Sequence, residues 1–349
     1  MPFASRLRTL ACLALLPIAG CDLYFRSGDS DDLAPPDGNP GLPDARVDVD
    51  AQEAIDAGEP DAPPTPPPNG GFVTPTSTAH ANVRSNGGWT DLGAADWSCV
   101  TNPPAETLPD SGYTLTGTVR DYASNQGVGG VTIDVSAGGM TLASATSSTA
   151  MNGGTRGTYR ITVPALPEGA TRLRFTQTLM GARKTIAIDR YLGSFAIATF
   201  DPPLMTEQTA RTLPGLVGVQ ADPDTGLIVG EVRDCQGRQV SGAIVALSTS
   251  SQFVAHWPGG ETYYFSAATN NDIPVRQEVR TQTNQDGRFM LIGAVPDGAE
   301  GTIQAWGFQT DADRAGGALK LLGRSAAVVE AQTVSSVLIG RSRGFATGN

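Results

Sequence analysis

The side chains that could carry nucleophilic, redox or soft-metal chemistry are few: Cys12, Cys21, Cys99, Cys235, His80 and His256. Their spacing contains no CxxC pair, no HExxH and no zinc-spaced Cys/His cluster, and two thiols alone make a weak metal site. Phosphate-cradling and dinucleotide glycine fingerprints are absent too. Gly340-Arg341-Ser342-Arg343-Gly344 satisfies GxSxG, but about five residues follow it. That leaves no helix for a nucleophile elbow and no later Asp and His partners, so it reads as a chance match. Asp121 and Asp234 hold matching turn positions, where capping is a simpler role than paired acid–base work. The aspartates of Pro43-Asp44-Ala45-Arg46-Val47-Asp48-Val49-Asp50 lack the central glycine and terminal glutamate of a calcium loop. This inventory assigns no catalytic, cofactor-binding or metal residue, expects no cofactor, and points away from an enzyme.

Stepping outward from those residues, the chain opens on an address. Residues 1–20 read as a secretory signal, with Arg6 and Arg8 ahead of an apolar stretch from Leu10 to Ile18. The stretch is too short for a permanent membrane helix. Its ending, Leu16-Pro17-Ile18-Ala19-Gly20-Cys21, resembles the lipobox of bacterial lipoproteins. The resemblance implies cleavage before Cys21, a diacylglyceryl group on its thiol and an acylated amino terminus. Two or more acyl chains anchor a protein stably where one does not. The competing reading is an ordinary secretory signal with an incidental cysteine. Asp22 resembles an enterobacterial inner-membrane retention signal, so inner membrane, outer membrane and outer surface stay open. The segment that follows favours the outer membrane or cell surface.

The net charge of −11, from 35 acidic against 24 basic residues, excludes the basic face a nucleic-acid binder needs. Residues 22–61 hold twelve of the acids and two arginines. Together with eleven prolines over 27–79, this composition cannot bury enough apolar surface to offset ordering. Residues 21–79 are therefore expected to be a lipidated cysteine followed by a disordered, extended tether; a cation-attracting ligand segment is the alternative. With Cys12 removed and Cys21 acylated, Cys99 and Cys235 remain. An exported setting makes them a candidate disulfide, with two separate buried thiols as the other reading.

The body carries an internal repeat. Leu115-Thr116-Gly117-Thr118-Val119-Arg120-Asp121 matches Ile228-Val229-Gly230-Glu231-Val232-Arg233-Asp234, and Val128–Ser136 matches Val240–Ser248. Each copy reads as strand, Asp-headed turn, short Gly-containing loop, strand. A period of about 113 residues is a domain duplication, too long for a solenoid unit. Further strands are expected within 157–164, 172–177, 185–189, 195–199, 284–291, 302–306, 326–331 and 334–339, and a short helix at 206–213. The 42 glycines and 25 prolines fit many turns and short strands.

The pattern G-x-V-x-D, G-x-V, D-G-x-F and P-x-G resembles the carboxypeptidase regulatory-like domain, a transthyretin-like sandwich. The second copy carries it through Gly230, Val232, Asp234, Gly242, Asp286, Gly287, Phe289, Pro296 and Gly298. In the first copy the D-G-x-F element has become Thr155-Arg156-Gly157-Thr158-Tyr159. The resemblance implies an all-β fold, two tandem Greek-key transthyretin-like β-sandwiches after a disordered N-terminal tether. It also implies non-catalytic modules, some relatives of which bind carbohydrate. The expected organisation is signal 1–20, lipidated tether 21–79, Trp/Cys-containing lead-in 80–112, first sandwich 113–200, connector 201–225, second sandwich 226–340 and tail 341–349. Trp89 and Trp97 in the lead-in are expected to pack against the first sandwich.

The second copy has about 18 extra residues, within Ser251–Pro274, bearing His256, Trp257, Tyr263, Tyr264 and Phe265. One reading makes His256, Trp257, Tyr263 and Tyr264 a ligand patch for a glycan or peptide. The other makes them core residues of an extended hairpin. The function expected is a non-catalytic, lipid-anchored envelope protein with a structural or adhesive role, the alternatives being a carbohydrate-binding surface module using the 251–274 insertion and, behind it, an unrecognised hydrolase. Its partners would be the membrane, through the acyl chains, and an envelope protein or glycan, with no nucleic acid.

Overall fold

The structure is a computed structural model that describes residues 74–340, excepting 86–87, 102–104, 152–154, 249–259, 268–272 and 295–299. Cys21, the tether up to residue 73, and His256 and Trp257 lie outside the described residues.

The lead-in forms a hairpin, β1 (His80–Ser85) and β2 (Gly88–Ala94), then a single turn, α1 (Ser98–Thr101). The first copy contributes β3 (Tyr113–Thr118), β4 (Arg120–Asp121), β5 (Thr132–Ala137), β6 (Met140–Thr146), β7 (Thr158–Val163), β8 (Leu173–Thr178), β9 (Lys184–Arg190) and β10 (Ile197–Thr199). Its strands alternate in burial: Ile133, Val135 and Ala137 of β5 and Tyr159, Ile161 and Val163 of β7 point inward. That period of two marks sheets covered on one face. The sheets are β10-β3-β7 and β9-β8-β5-β6, and Leu115, Ile133, Ile161 and Phe175 share the core between them.

The connector holds β11 (Pro203–Leu204) and α2 (Glu207–Leu216). Thr206 caps α2 by accepting from Thr209 N at 3.1 Å. The second copy comprises β12 (Gly226–Val232), β13 (Gln239–Ser241), β14 (Ile244–Ser248), β15 (Glu261–Phe265), β16 (Pro274–Val275), β17 (Arg288–Ala294), β18 (Glu300–Gly307), α3 (Asp311–Ala315), β19 (Lys320–Val328) and β20 (Thr333–Ile339). Here β12 and β17 are buried on both faces. Ile228, Phe289 and Leu291 enter the core beneath β14, β18 and β19, while Leu227, Val229, Met290 and Ile292 pack under Ala210, Leu213 and Val217 of the connector. The unbroken apolar run Phe289-Met290-Leu291-Ile292 is the sequence mark of this double cover.

The two copies repeat one topology. β3 lies between antiparallel β7 and parallel β10, and β12 lies between antiparallel β17 and parallel β20. One strand departs: β6 pairs with β5, whereas its counterpart β15 pairs with β17 and leaves β14 beside β18 alone.

The copies are also joined edge to edge. β20 pairs in parallel with β9, matching Thr333 to Lys184 and Ser336 to Ala187, so one nine-stranded sheet runs β16-β15-β17-β12-β20-β9-β8-β5-β6. Lys184 Nζ meets Glu330 at 2.5 Å across this seam. Asp189, in the left-handed region at φ 59°, takes Arg172 at 3.1 Å and accepts from Ser325 Oγ at 3.3 Å. The two copies are thus joined through a common sheet, a contact that the tandem repeat does not itself announce.

The lead-in departs from expectation as well. β1 pairs with β13, Ala79 N donates to Phe308 O at 2.8 Å, and Trp97 is 7% exposed in the core of the second copy, not the first. Trp89 stays half-buried on β2, with the Arg84 guanidinium 5.8 Å from its ring centroid. Only after α1 does the chain reach the first copy, where Glu106 pairs with Arg172 at 2.6 Å.

Candidate functional site

The chemistry-bearing residues fall at separate places. Cys99 and Cys235 are bonded, with Cα atoms 5.7 Å apart, and tie the lead-in to the turn after β12. His80 Nδ1 lies 2.8 Å from Asp91 Oδ2 on the exposed hairpin, and that hydrogen bond is the largest influence holding the Asp91 carboxyl below its usual value. Asp121 Oδ1 accepts from Ser124 N at 2.8 Å, and Asp234 Oδ1 accepts from Gln236 N at 3.0 Å and Arg238 N at 2.9 Å. Both aspartates organise their own turns. Among the described residues no group of three or more His, Cys, Asp or Glu is arranged to hold a metal.

Tyr263 and Tyr264 require a correction. They are 4% and 3% exposed on β15, so neither displays its ring to a ligand. The Tyr264 hydroxyl accepts from Val245 N at 2.9 Å, and the Tyr263 hydroxyl donates to Glu261. Burial pushes both phenols above the ordinary tyrosine value. The cause is the double cover of the sheet: Tyr264 points into one core and Tyr263 into the other.

A different place collects charge in a concave setting. Where the first copy meets β12 and β20 of the second, a cleft of about 550 Å³ opens. Arg120, Arg190, Arg233 and Arg288 line it together with Asp121, Asp201 and Glu231. Arg120 Nε pairs with Asp201 Oδ2 at 3.0 Å, and Asp201 Oδ1 accepts from Thr118 N at 2.8 Å. Arg233 Nη2 pairs with Glu231 Oε2 at 2.9 Å.

Arg190 is held differently. It ends β9 opposite Leu173, beyond a register shift that follows the Ala187–Phe175 pair, so it shares the face of Leu173, Phe175 and Ala187, and it is 8% exposed. Its Nη2 donates to Ser336 O at 3.1 Å and Ser336 Oγ at 3.3 Å, while its buried Nε meets no acceptor. The Phe200 ring lies 5.6 Å from the guanidinium carbon and is itself fixed 4.4 Å from the Phe175 ring. Burial, then the charge of Arg233, pushes Arg190 down to about 10, against the opposing pull of Asp189 and Glu231. It therefore remains cationic at neutral pH. Sequence reasoning passed over this arginine. Its place follows from the irregularity of β9 at Asp189, which alternation along the sequence does not reveal.

No protein-family model matches the chain, and no curated protein matches it. Similar solved structures include the shaft pilin SpaA from Lactobacillus rhamnosus GG, 14% identical, with 66% of this chain and 98% of that chain covered and a TM-score of 0.20. They also include a streptococcal ancillary pilin, 12% identical, with 66% and 63% covered and a TM-score of 0.17. At these scores the likeness does not bear on function.

Proposed function

We propose that the protein is a non-catalytic component of the bacterial cell envelope with a structural or adhesive role, anchored by lipid on Cys21 and raised on the 21–79 tether. The body is read as two Greek-key, transthyretin-like sandwiches of the carboxypeptidase regulatory-like kind. The observation that carries this reading is the fused architecture. A nine-stranded sheet common to both copies, with a disulfide fastening the lead-in to the second, suits a stiff element that bears load or presents a surface. The anchor rests on the Leu16–Cys21 motif behind a short apolar signal. The favoured location is the outer membrane or cell surface.

The test pairs mass spectrometry of the mature amino terminus with protease treatment of intact cells. Acylated Cys21 and cleavage of the tether from outside are the expected results. A soluble, unacylated protein would remove the anchoring half of the proposal. Acylation with full protection would place the body inside the envelope.

A further inference from the structure

We infer that the cleft between the two copies binds an organic monocarboxylate with an apolar body, its carboxylate taken by Arg190. This goes beyond the anchoring role and does not depend on it.

The first ground is an unanswered charge. Arg120 and Arg233 have carboxylate partners in the cleft wall, whereas among the described residues Arg190 forms no ion pair and hydrogen-bonds through Nη2 to Ser336. A guanidinium 8% exposed, with no carboxylate partner among the described residues, is costly for the fold unless an anion pairs with it. It lines the cleft. Its orientation is set in advance by Ser336 below and the Phe200 ring alongside, so a ligand would not have to order it.

The second ground is the size of the charge. Arg120 and Arg233 are matched by Asp201 and Glu231, and the guanidinium of Arg190 offers a single positive charge. A carboxylate carries one negative charge and matches the planar guanidinium fork. A phosphate dianion would bring a second charge against Asp121, Asp201 and Glu231. The third ground is shape. The cleft volume of about 550 Å³ lies within the range of small-molecule sites, which favour junctions between structural units. Half-buried Tyr122, Phe200 and Leu338 supply the apolar wall that a ring or branched chain would cover.

Isothermal titration of the full-length protein with phenylacetate, phenylacetamide and phenyl phosphate tests the assignment without any variant. Phenylacetate should bind saturably, and the neutral amide and the phosphate should each bind at least about tenfold more weakly, the loss expected when a charged hydrogen-bonded contact goes. In Arg190→Met the affinity for phenylacetate should fall about 10- to 100-fold. Arg190→Lys, which keeps the charge and loses the fork, should fall between the two. Equal binding of acid and amide, tighter binding of the phosphate, or undiminished binding by a folded Arg190→Met protein would overturn the inference. Should the variant fail to fold, the three-ligand comparison on the wild type decides alone.

Discussion

At Arg190 the requirements of folding and of the cleft pull apart. Burial holds its pKa below the ordinary arginine value, at about 10, and so penalises the charged form. At neutral pH the arginine is charged in both states and the penalty is fully present. The shift corresponds to a ceiling of about 3 kcal/mol. Arg190→Met removes the charge and keeps most of the volume, while freeing Ser336 O of a donor at a cost of about 1 kcal/mol. We expect a net gain of about 1–2 kcal/mol and a melting temperature raised by a few degrees in calorimetry at pH 7. A fall of several degrees would mean that Arg190 is a stabilising residue. Glycines make the opposite case. Gly117 pairs with Tyr159 and Gly230 with Phe289, the same cross-strand couple in each copy. A Cβ at Gly230 would sit 2.3 Å from Phe289 Cζ and 2.7 Å from Val337 O, and one at Gly117 would sit 1.9 Å from Phe200 O. Gly230→Ala should therefore cost about 2–3 kcal/mol in urea denaturation, though it touches no turn. The motif glycines were legible as a pattern. Their reason was not, because the obstructing carbonyls arrive with the parallel strand that closes each copy far along the chain.

Among the elements, local signals held where the partner was also local. The expected strands at 185–189 and 334–339 correspond to β9 and β20, and the helix expected at 206–213 corresponds to α2, which continues through Pro214 to Leu216. What alternation cannot say is which edge a strand will meet. The hairpin of β1 and β2 reads as strands wherever it docks, and its attachment to β13 rests on pairing across about 160 residues. The β9–β20 seam is equally non-local, and Asp189 is its most exacting residue. It adopts φ 59°, which aspartate tolerates better than most, and its carboxylate gathers Arg172, Ser325 Oγ and Ala326 N. Asp189→Ala should destabilise the body by about 2–3 kcal/mol and speed amide exchange in β9, β19 and β20 together. Exchange accelerated in β9 alone would show that the seam does not depend on it. The docking of α2 carries an acid sensitivity. Hydrogen bonds from Arg183 and Arg211 hold the Glu207 carboxyl below its usual 4.5. Their contribution is complete above 4.5 and is lost as pH falls through the lower folded value. Glu207 is 37% exposed, so the effect is small, about 0.5 kcal/mol. Glu207→Gln should flatten that part of the stability–pH profile and leave neutral-pH stability nearly unchanged.

On the scale of the whole molecule, duplication at about 113 residues suggested two tandem sandwiches, and one nine-stranded sheet runs through both. The repeat was readable because each copy carries its own turns and core. The fusion was not, because it needs two edge strands from different copies to find each other after both have formed. Unfolding the second copy would strip β20 from β9, leaving a row of unpaired backbone groups beside Ile186 and Ile188, which are 1% and 2% exposed in the folded chain. Unfolding the first copy would do the same to β20. Neither half can open without exposing apolar surface and strand edge of the other, so calorimetry should show a single transition. The Cys99–Cys235 bond supports that unit from the other side. It fastens the segment carrying Ala79, Ala81, Ala95 and Trp97 into the second core and closes a separation of 136 residues. Loop-closure entropy alone sets its contribution at about 5 kcal/mol, an upper figure for a native bond. Reduction, or the paired Cys99→Ser and Cys235→Ser substitutions, should lower the melting temperature by about 10 °C and keep one transition, since the β9–β20 seam survives. Two resolved transitions after reduction would assign the coupling of the copies to the disulfide, and two transitions before it would reduce the shared sheet to a contact without energetic weight.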